Sequence, residues 1–219
     1  MQRVVQSVHA AAGEAGEPET CEVWYLPEAL SPAEQARALR WLRGLGGLRR
    51  GEAFGRPLGR EQRWFHETGA PFCDGWVQQF PRWAPFRYDE TLVWLQGRVQ
   101  AVLRERLGRS PALRGCLVNR YLDGSDHIQL HRDEAHAPLA VVAGLSLGAE
   151  RTMQWRAVQY DKDRPRSCKL RPGGEAATCR LAAGSLLVMA GATQKHWAHG
   201  IAPEPAVRGE RYSLTFREC

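Results

Sequence analysis

The segment DHIQLHRDE, residues 126–134, places two histidines and three carboxylates within nine residues. Groups of this kind are costly to bury without partners. The segment is therefore either a solvated loop or a place where side chains converge on a ligand, for which a metal ion is the best candidate. Because alternate side chains of an extended chain share a face, His131 and Asp133 would offer two metal ligands side by side in an H-x-D pattern.

A third ligand must come from elsewhere in the chain. In non-haem Fe(II) oxygenases, two histidines and one carboxylate hold the iron and leave its other positions open. His196 and His199, in the motif KHWAHGI, follow the apolar run SLLVMAG, and both are candidates. The H-x-D pair by itself also fits two solvated surface residues. A zinc site built from these histidines and cysteines is disfavoured, because the cysteines form no CxxC pair.

The C-terminal run RYSLTFR, residues 211–217, alternates polar and apolar side chains, as a strand with one buried face does. Arg211 and Arg217 fall on its polar face, and buried arginines are costly unless they meet anions. A dicarboxylic acid would satisfy them, since arginine binds carboxylate through two parallel hydrogen bonds. Asn119 and Tyr121, in NRY, would offer an amide and a phenol to the same anion. The alternative is an exposed edge strand with solvated arginines.

Two helices are predicted before these motifs. In SPAEQARALRWLRGLGG, Ser31 can cap a helix, Pro32 suits its first position and Glu34 completes a capping box. Apolar residues at helical spacing predict a second helix over about 91–107. The stretch between the helices is rich in arginine, glycine, proline and aromatic residues without a clean period, which is typical of binding loops.

From residue 116 onward the pattern favours strands, in the runs CLVNRYL, LAVVAGLSLG, TMQWRAVQY, SLLVMAG and RYSLTFR. Helices followed by strands predict an all-β sandwich or barrel supported by N-terminal helices. We expect a mobile tail over residues 1–20 and one domain over residues 21–219. Within it, residues 21–110 would form the helices and a recognition region, and residues 111–219 the catalytic core.

Composition is compatible with an intracellular protein that binds nucleic acid. The formal net charge is +6 in 219 residues, with an excess of arginine, which suits phosphate and bases; a compositional bias toward arginine is the alternative. The six cysteines show no disulfide framework, which favours a reducing compartment such as the nucleus or cytoplasm, with an organelle left open. Apolar runs stay short of the ~20 residues of a membrane helix. We expect a monomer.

Taken together, the ordered motifs NRYLDGSDHIQLHRDE, GSLLVMAG, HWAHGI and RYSLTFR resemble the AlkB family of Fe(II)- and 2-oxoglutarate-dependent dioxygenases, most of all its eukaryotic DNA repair members. The resemblance implies a double-stranded β-helix, or jelly roll, which agrees with the predicted strands. It implies an iron site of His131, Asp133 and His199. The residues that it implies for binding 2-oxoglutarate are Asn119, Tyr121, Arg211, Thr215 and Arg217. Ser213 departs from the family, whose members often have asparagine there.

The resemblance also implies an activity. Such an enzyme would oxidatively demethylate N-alkylated bases, such as 1-methyladenine or 3-methylcytosine, in DNA or RNA. It would use O2 and 2-oxoglutarate and release formaldehyde, succinate and CO2. A base in a duplex would first be flipped into a pocket. The residues expected to contact the substrate are Glu134, Arg60, Phe72 and Trp64.

Two alternatives are a dioxygenase of the same fold that acts on another base modification, a protein or a small molecule, and a non-catalytic module that binds nucleic acid. The intact H-x-D pair, His199 and both C-terminal arginines argue against the second alternative.

Overall fold

A computed structural model describes residues 1–9, 19–53, 55–72, 84–133, 141–159, 161 and 168–218. In chain order the described elements are β1 (Gln2–His9), β2 (Glu19–Leu26), α1 (Pro32–Gly44), β3 (Arg49–Ala53), β4 (Arg56–His66), α2 (Glu90–Leu107), β5 (Gly115–Tyr121), β6 (Ile128–His131), β7 (Val142–Gly148), β8 (Arg151–Ala157), β9 (Ala176–Leu181), β10 (Leu186–Gly191), α3 (Thr193–His196), β11 (Trp197–Ile201) and β12 (Arg211–Arg217). Among the described residues, no helix is long and apolar enough to cross a membrane.

Both predicted helices are present, and local capping sets their ends. The Ser31 hydroxyl accepts from the Glu34 amide, and the Glu34 carboxylate accepts from the Ser31 amide at 2.9 Å, so the predicted capping box forms. Asp89 caps α2 by accepting from the Leu92 amide at 2.9 Å. The helix ends at Gly108, whose φ of 62° lies in the left-handed region that favours glycine.

The strands form two antiparallel sheets. The larger has the order β1-β2-β10-β7-β12-β5-β4-β3 and the smaller the order β6-β11-β8-β9. Strands that follow one another in the chain alternate between the sheets from β5 to β8, which winds the chain around a common interior. This is the jelly roll that the motifs predicted.

One hydrophobic core lies on the outer face of the larger sheet, where α1 and α2 cover it. Its large members from the helices and from β12 are Leu42, Leu92, Leu95, Leu103, Tyr212, Leu214 and Phe216. The apolar side of RYSLTFR therefore faces the helices, as expected from its alternation. Its polar side must face the other sheet.

A second core fills part of the space between the sheets. Its members come from β2, β7 and β10 of the larger sheet and from β8, β9 and β11 of the smaller one, and the largest are Tyr25, Val142, Trp155, Leu187, Met189 and Trp197. The polar side chains of β5 and β12 lie outside this cluster.

Part of the expected mobile tail over residues 1–20 is structured: residues 2–9 and 19–20 lie in strands, while residues 10–18 lie outside the described residues. Gln2–His9 form β1, which pairs antiparallel with β2. Val5 is buried, and the Arg3 guanidinium lies 4.2 Å from the centre of the Trp24 ring. The edge of β2 offers unpaired backbone groups, with which an extended segment can form hydrogen bonds. The sequence of residues 2–9 did not predict this pairing.

The region between the helices also contains structure that its irregular sequence did not predict. β3 and β4 pair as a hairpin, and β4 joins the larger sheet through β5. β4 is buried on both faces near its end, since Trp64 faces the interior side and Phe65 belongs to the helix-side core. Burial on both faces removes the alternation that normally marks a strand.

Candidate active site

Three possible metal ligands meet where β6 pairs with β11. His131 and His199 are direct partners across these strands, and Asp133 follows β6 by two residues. The Nε2 atom of His131 lies 3.7 Å from Oδ1 of Asp133, and Nε2 of His199 lies 3.5 Å from Oδ2. One ligand atom from each residue falls within 4.8 Å of the others. This spacing fits a single ion between them.

The charges at this cluster suit a divalent cation. Burial raises the pKa of the Asp133 carboxyl, but the Arg217 guanidinium and the two imidazoles lower it by more, so its pKa lies well below the ordinary value. Burial, and then the adjacent His131, lower the pKa of His199. The cluster therefore holds a carboxylate and a neutral imidazole, the forms that bind metal.

Hydrogen bonds outside the cluster orient its members. Nδ1 of His131 lies 2.9 Å from the Gln129 carbonyl, to which it can only donate, so Nε2 keeps its lone pair for a metal. Arg217 donates to Oδ1 of Asp133 at 2.8 Å, and the Asp133 amide donates to Oε1 of Gln194 at 2.8 Å. The donor set and its orientation thus fit iron held by two histidines and a carboxylate.

A buried arginine lies on the opposite sheet. Arg211 is 1% exposed, and its Nη2 donates to the Ser146 hydroxyl at 3.0 Å. Its Nε and Nη1 have no hydrogen-bond partner among the described residues. Burial lowers the pKa of Arg211, but guanidinium keeps its charge in proteins. A buried cation with free N–H groups needs an anion, which the distal carboxylate of 2-oxoglutarate would supply.

The other residues predicted to bind 2-oxoglutarate share this face. β12 pairs with β5 so that Arg211 lies opposite Tyr121 and Ser213 lies opposite Asn119. The Arg211 guanidinium lies 5.1 Å from the centre of the Tyr121 ring. On the other edge of β12, Thr215 pairs with Gly144 of β7. A Cβ at Gly144 would approach no heavy atom closer than 3.9 Å, so there is room beside this residue.

The structure places Arg60 beside the 2-oxoglutarate residues. Its Nε donates to Oδ1 of Asn119 at 2.8 Å, and Nε2 of Gln62 donates to the same oxygen at 3.0 Å. The amide oxygen of Asn119 is therefore occupied. Its NH2 group donates to the Leu117 carbonyl at 3.5 Å and keeps a second N–H for a ligand carboxylate. The predicted contact between Arg60 and the substrate base stays a prediction.

The predicted aromatic contacts lie on the iron side. The Phe72 ring centre is 5.2 Å from the Arg217 guanidinium, and Trp64 meets Phe72 edge to face at 4.9 Å. Trp64 is 1% exposed and donates to the Ala70 carbonyl at 3.0 Å. Trp64 is therefore a buried side chain against which the Phe72 ring packs. Glu134 lies outside the described residues, and all of these substrate contacts stay predictions.

His196, the alternative third ligand, is directed elsewhere. Its Nε2 lies 2.7 Å from the Glu19 carboxylate of β2. Three residues that hydrogen-bond to the site residues carry no motif and were not predicted, namely Gln62, Ser146 and Gln194. A polar residue inside an otherwise apolar run, such as Ser146 in VVAGLSLG, was the available signal.

The fold and the His-Asp-His cluster beside a buried arginine define a class, the non-haem iron oxygenases. The sequence profile of the 2OG-Fe(II) oxygenase superfamily matches residues 22–217, and the chain belongs to this superfamily. Membership implies Fe(II), 2-oxoglutarate and O2 as cofactors, which agrees with the expectation from the motifs.

The curated relatives carry AlkB names, so the predicted resemblance is confirmed. DNA oxidative demethylase ALKBH2 of Mus musculus is 40% identical over 104 residues, which cover 47% of this chain and 41% of that protein. The Homo sapiens ALKBH2 is 31% identical over 180 residues, or 79% of this chain and 62% of that protein. The alpha-ketoglutarate-dependent dioxygenase alkB homolog 3 of Rattus norvegicus is 30% identical over 164 residues, or 74% and 50%. The chain thus spans less than two thirds of each of these relatives.

Solved structures confirm the fold. The structure of OsALKBH1 superposes with a TM-score of 0.63 at 17% identity, covering 90% of this chain and 97% of that one. The non-heme alpha ketoglutarate dependent epimerase SnoN from nogalamycin biosynthesis superposes with a TM-score of 0.56 at 15% identity, covering 89% and 78%.

Proposed function

We propose that this chain is an Fe(II)- and 2-oxoglutarate-dependent demethylase of N-alkylated bases, of the 1-methyladenine and 3-methylcytosine type, in DNA or RNA. The observation that carries the proposal is the buried Arg211, two of whose nitrogens have no hydrogen-bond partner among the described residues, in the same interior as the His-Asp-His cluster. The relatives named DNA oxidative demethylase support the choice of substrate.

Each part of the site has a task in this reaction. His131, Asp133 and His199 would hold the iron, while Arg217 fixes the Asp133 carboxylate. Arg211 would hold the distal carboxylate of 2-oxoglutarate, assisted by Tyr121, Asn119 and Thr215. When bound, the iron, 2-oxoglutarate and O2 supply the hydroxylation of the alkyl group, which leaves as formaldehyde, with succinate and CO2 as coproducts. The chain orients these groups and excludes water.

The substrate would reach the iron as a base flipped out of its strand. Phe72 lies beside Arg217, near the Asp133 carboxylate, where a base could stack. Arg49 and Arg56 are exposed on the β3–β4 hairpin, and Arg50 joins this hairpin to Asp126, in the loop that leads into β6. The hairpin would therefore bring positive charge to the phosphates around the base. We further propose that the protein acts as a monomer in the nucleus or cytoplasm.

Anaerobic reconstitution with Fe(II) and 2-oxoglutarate, followed by oxygen, tests this function. Single- and double-stranded oligonucleotides that carry 1-methyladenine or 3-methylcytosine are the substrates, and mass spectrometry reads the methyl group. We expect methyl loss that is abolished in His131→Ala. Succinate without any change in the base would indicate a dioxygenase with another substrate. Absence of both products from folded, metal-loaded protein would overturn the enzymatic proposal.

A further inference from the structure

Arg151, the first residue of β8, joins the two segments that carry the iron ligands. It is 1% exposed. Its Nη1 donates to the Asp123 carbonyl at 3.1 Å and its Nη2 to the Asp126 carbonyl at 2.9 Å, both in the loop before β6. Nη2 also donates to the Ala202 carbonyl at 2.7 Å, directly after β11. One guanidinium thus holds together the loop that leads into β6 and the residue that follows β11, the two strands that carry His131 and His199.

The same guanidinium also lies close to the predicted 2-oxoglutarate site. Its Cζ is 5.8 Å from the centre of the Tyr121 ring, and Cζ of Arg211 is 5.1 Å from the same ring. Tyr121 is therefore in contact with two buried cations. Of these two, Arg151 is the one with a carboxylate partner among the described residues, since its Nε lies 3.3 Å from Oε1 of Glu204.

Glu204 makes this arrangement sensitive to charge. Its carboxylate accepts from the Thr152 amide at 2.7 Å, a hydrogen bond at the start of β8 that does not involve the Arg151 side chain. Glu204 and Arg151 act on Arg211 with opposite signs: the carboxylate raises the pKa of Arg211, and the second guanidinium lowers it. With both present, their effects on an anion bound at Arg211 offset each other. Without Arg151, Glu204 would repel that anion.

We propose that Arg151 is a positioning residue for 2-oxoglutarate, which neutralises Glu204 and thereby keeps the Arg211 charge available to the distal carboxylate. This inference rests on the proposed function, because it assumes that 2-oxoglutarate binds at Arg211. A purely structural Arg151 would instead act only through the carbonyls that it joins. Removal of the Glu204 charge distinguishes the two roles. It should restore 2-oxoglutarate binding to an Arg151 variant if Arg151 acts through charge, and should not restore it if Arg151 acts only through the carbonyls.

The test is 2-oxoglutarate binding to Mn(II)-loaded protein without oxygen or nucleic acid, measured by titration calorimetry. The variants are Arg151→Met, Glu204→Gln and the double variant. Arg98→Met is the matched control, because Arg98 of α2 pairs with Glu34 of α1 on the outer face of the larger sheet. Thermal unfolding of each variant is measured in parallel. The KM for 2-oxoglutarate and kcat are measured with the methylated oligonucleotide.

We expect Arg151→Met to weaken 2-oxoglutarate binding about tenfold, which corresponds to about 1.4 kcal/mol, and to raise KM more than it lowers kcat. The double variant should recover most of that loss while it stays as heat-sensitive as Arg151→Met, because the carbonyl bonds remain broken. Glu204→Gln alone should bind no more weakly than wild type, and Arg98→Met should match wild type.

A double variant that binds as weakly as Arg151→Met would overturn the proposal, as would an Arg151→Met variant that binds normally. If Arg151→Met does not fold, weakened binding in Glu204→Gln would overturn it by itself. Wild-type protein that binds Mn(II) but not 2-oxoglutarate would contradict the proposed function instead, so the two failures can be told apart.

Discussion

At the scale of single residues, the site contains two charged side chains with opposite roles, Asp133 and Arg211. Asp133 is fully engaged, since Arg217 donates to its carboxylate and both imidazoles face it. Arg211 is the opposite case, because two of its nitrogens lack partners among the described residues. Asp133 is suited to bind a cation and Arg211 to bind an anion, so mutations should affect metal binding and 2-oxoglutarate binding separately.

Arg211→Met is expected to weaken 2-oxoglutarate binding about 10- to 100-fold, because hydrogen bonds to a charged group contribute about 1.5–3 kcal/mol. Mn(II) binding should change little, since Arg211 does not touch the metal cluster. Calorimetric titration of each ligand checks both statements. Asp133→Asn is the comparison, and it should lose Mn(II) first. Loss of Mn(II) binding in Arg211→Met would contradict the separation.

At the scale of elements, the end of β4 fixes the turn that leads to Phe72. Nδ1 of His66 accepts from the amides of Thr68 and Ala70 at 3.2 and 3.1 Å, so the imidazole must be neutral with its proton on Nε2. Burial accordingly lowers the pKa of His66 below its ordinary value. Protonation would place a hydrogen between Nδ1 and two N–H donors.

The pH dependence of stability should report this imidazole. Because the pKa of His66 is lower in the folded state, the unfolded state takes up its proton first, and stability falls as the pH drops below about 6.5. In His66→Asn, whose side-chain oxygen can accept without titrating, the loss of unfolding free energy between about pH 7 and pH 5 should be smaller. Thr68→Ala is the control: it should be less stable than wild type but keep the same slope. Equal slopes for wild type and His66→Asn would contradict the assignment.

The β3–β4 hairpin also depends on close backbone contact with the loop before β6. A Cβ at Gly59 would lie 2.6 Å from the His127 carbonyl oxygen. Gly59→Ala should therefore destabilise the protein by about 1–3 kcal/mol through overpacking. Gly97→Ala, in exposed α2 where a Cβ meets nothing within 4 Å, should stabilise it by about 0.4–1 kcal/mol. Denaturant unfolding measures both, and an unaffected Gly59→Ala would show that the backbone approach is loose.

At the scale of the whole molecule, the charge distribution should govern the nucleic-acid affinity. The net charge of +6 includes exposed arginines on the hairpin beside the site and on α2, which covers the outer face of the larger sheet. Association with phosphate releases counterions, so binding should weaken steeply as salt rises. We expect only the charges near the site to affect how steeply nucleic-acid binding depends on salt concentration.

Arg49→Glu with Arg56→Glu should weaken oligonucleotide binding and reduce its salt slope by roughly 0.7–0.9 for each phosphate that the variant no longer neutralises. Arg104→Glu with Arg106→Glu, on the exposed surface of α2, makes the same change in net charge and is the matched control. Fluorescence anisotropy at several salt concentrations measures the slopes. Equal effects of the two pairs would mean that net charge alone, without a located surface, controls binding.

Features that depend on near neighbours could be predicted from the amino-acid sequence. The capping box at Ser31 sets the start of α1, and the alternation in RYSLTFR places Arg211 and Leu214 on opposite faces of the strand. The H-x-D spacing likewise placed His131 beside Asp133. Each of these follows from a few residues of regular backbone, whose geometry is the same in any protein.

Contacts between distant groups depend on the packing of the whole fold. Pairing of β6 with β11 brings His199 to the cluster, while His196, three residues earlier, turns to Glu19. Arg151 binds mainly backbone carbonyls, and these leave no mark in the sequence. The alternate pairing of strands from different parts of the chain depends on the whole packed interior. That is why a short motif could predict the chemistry of this site but not its full set of contacts.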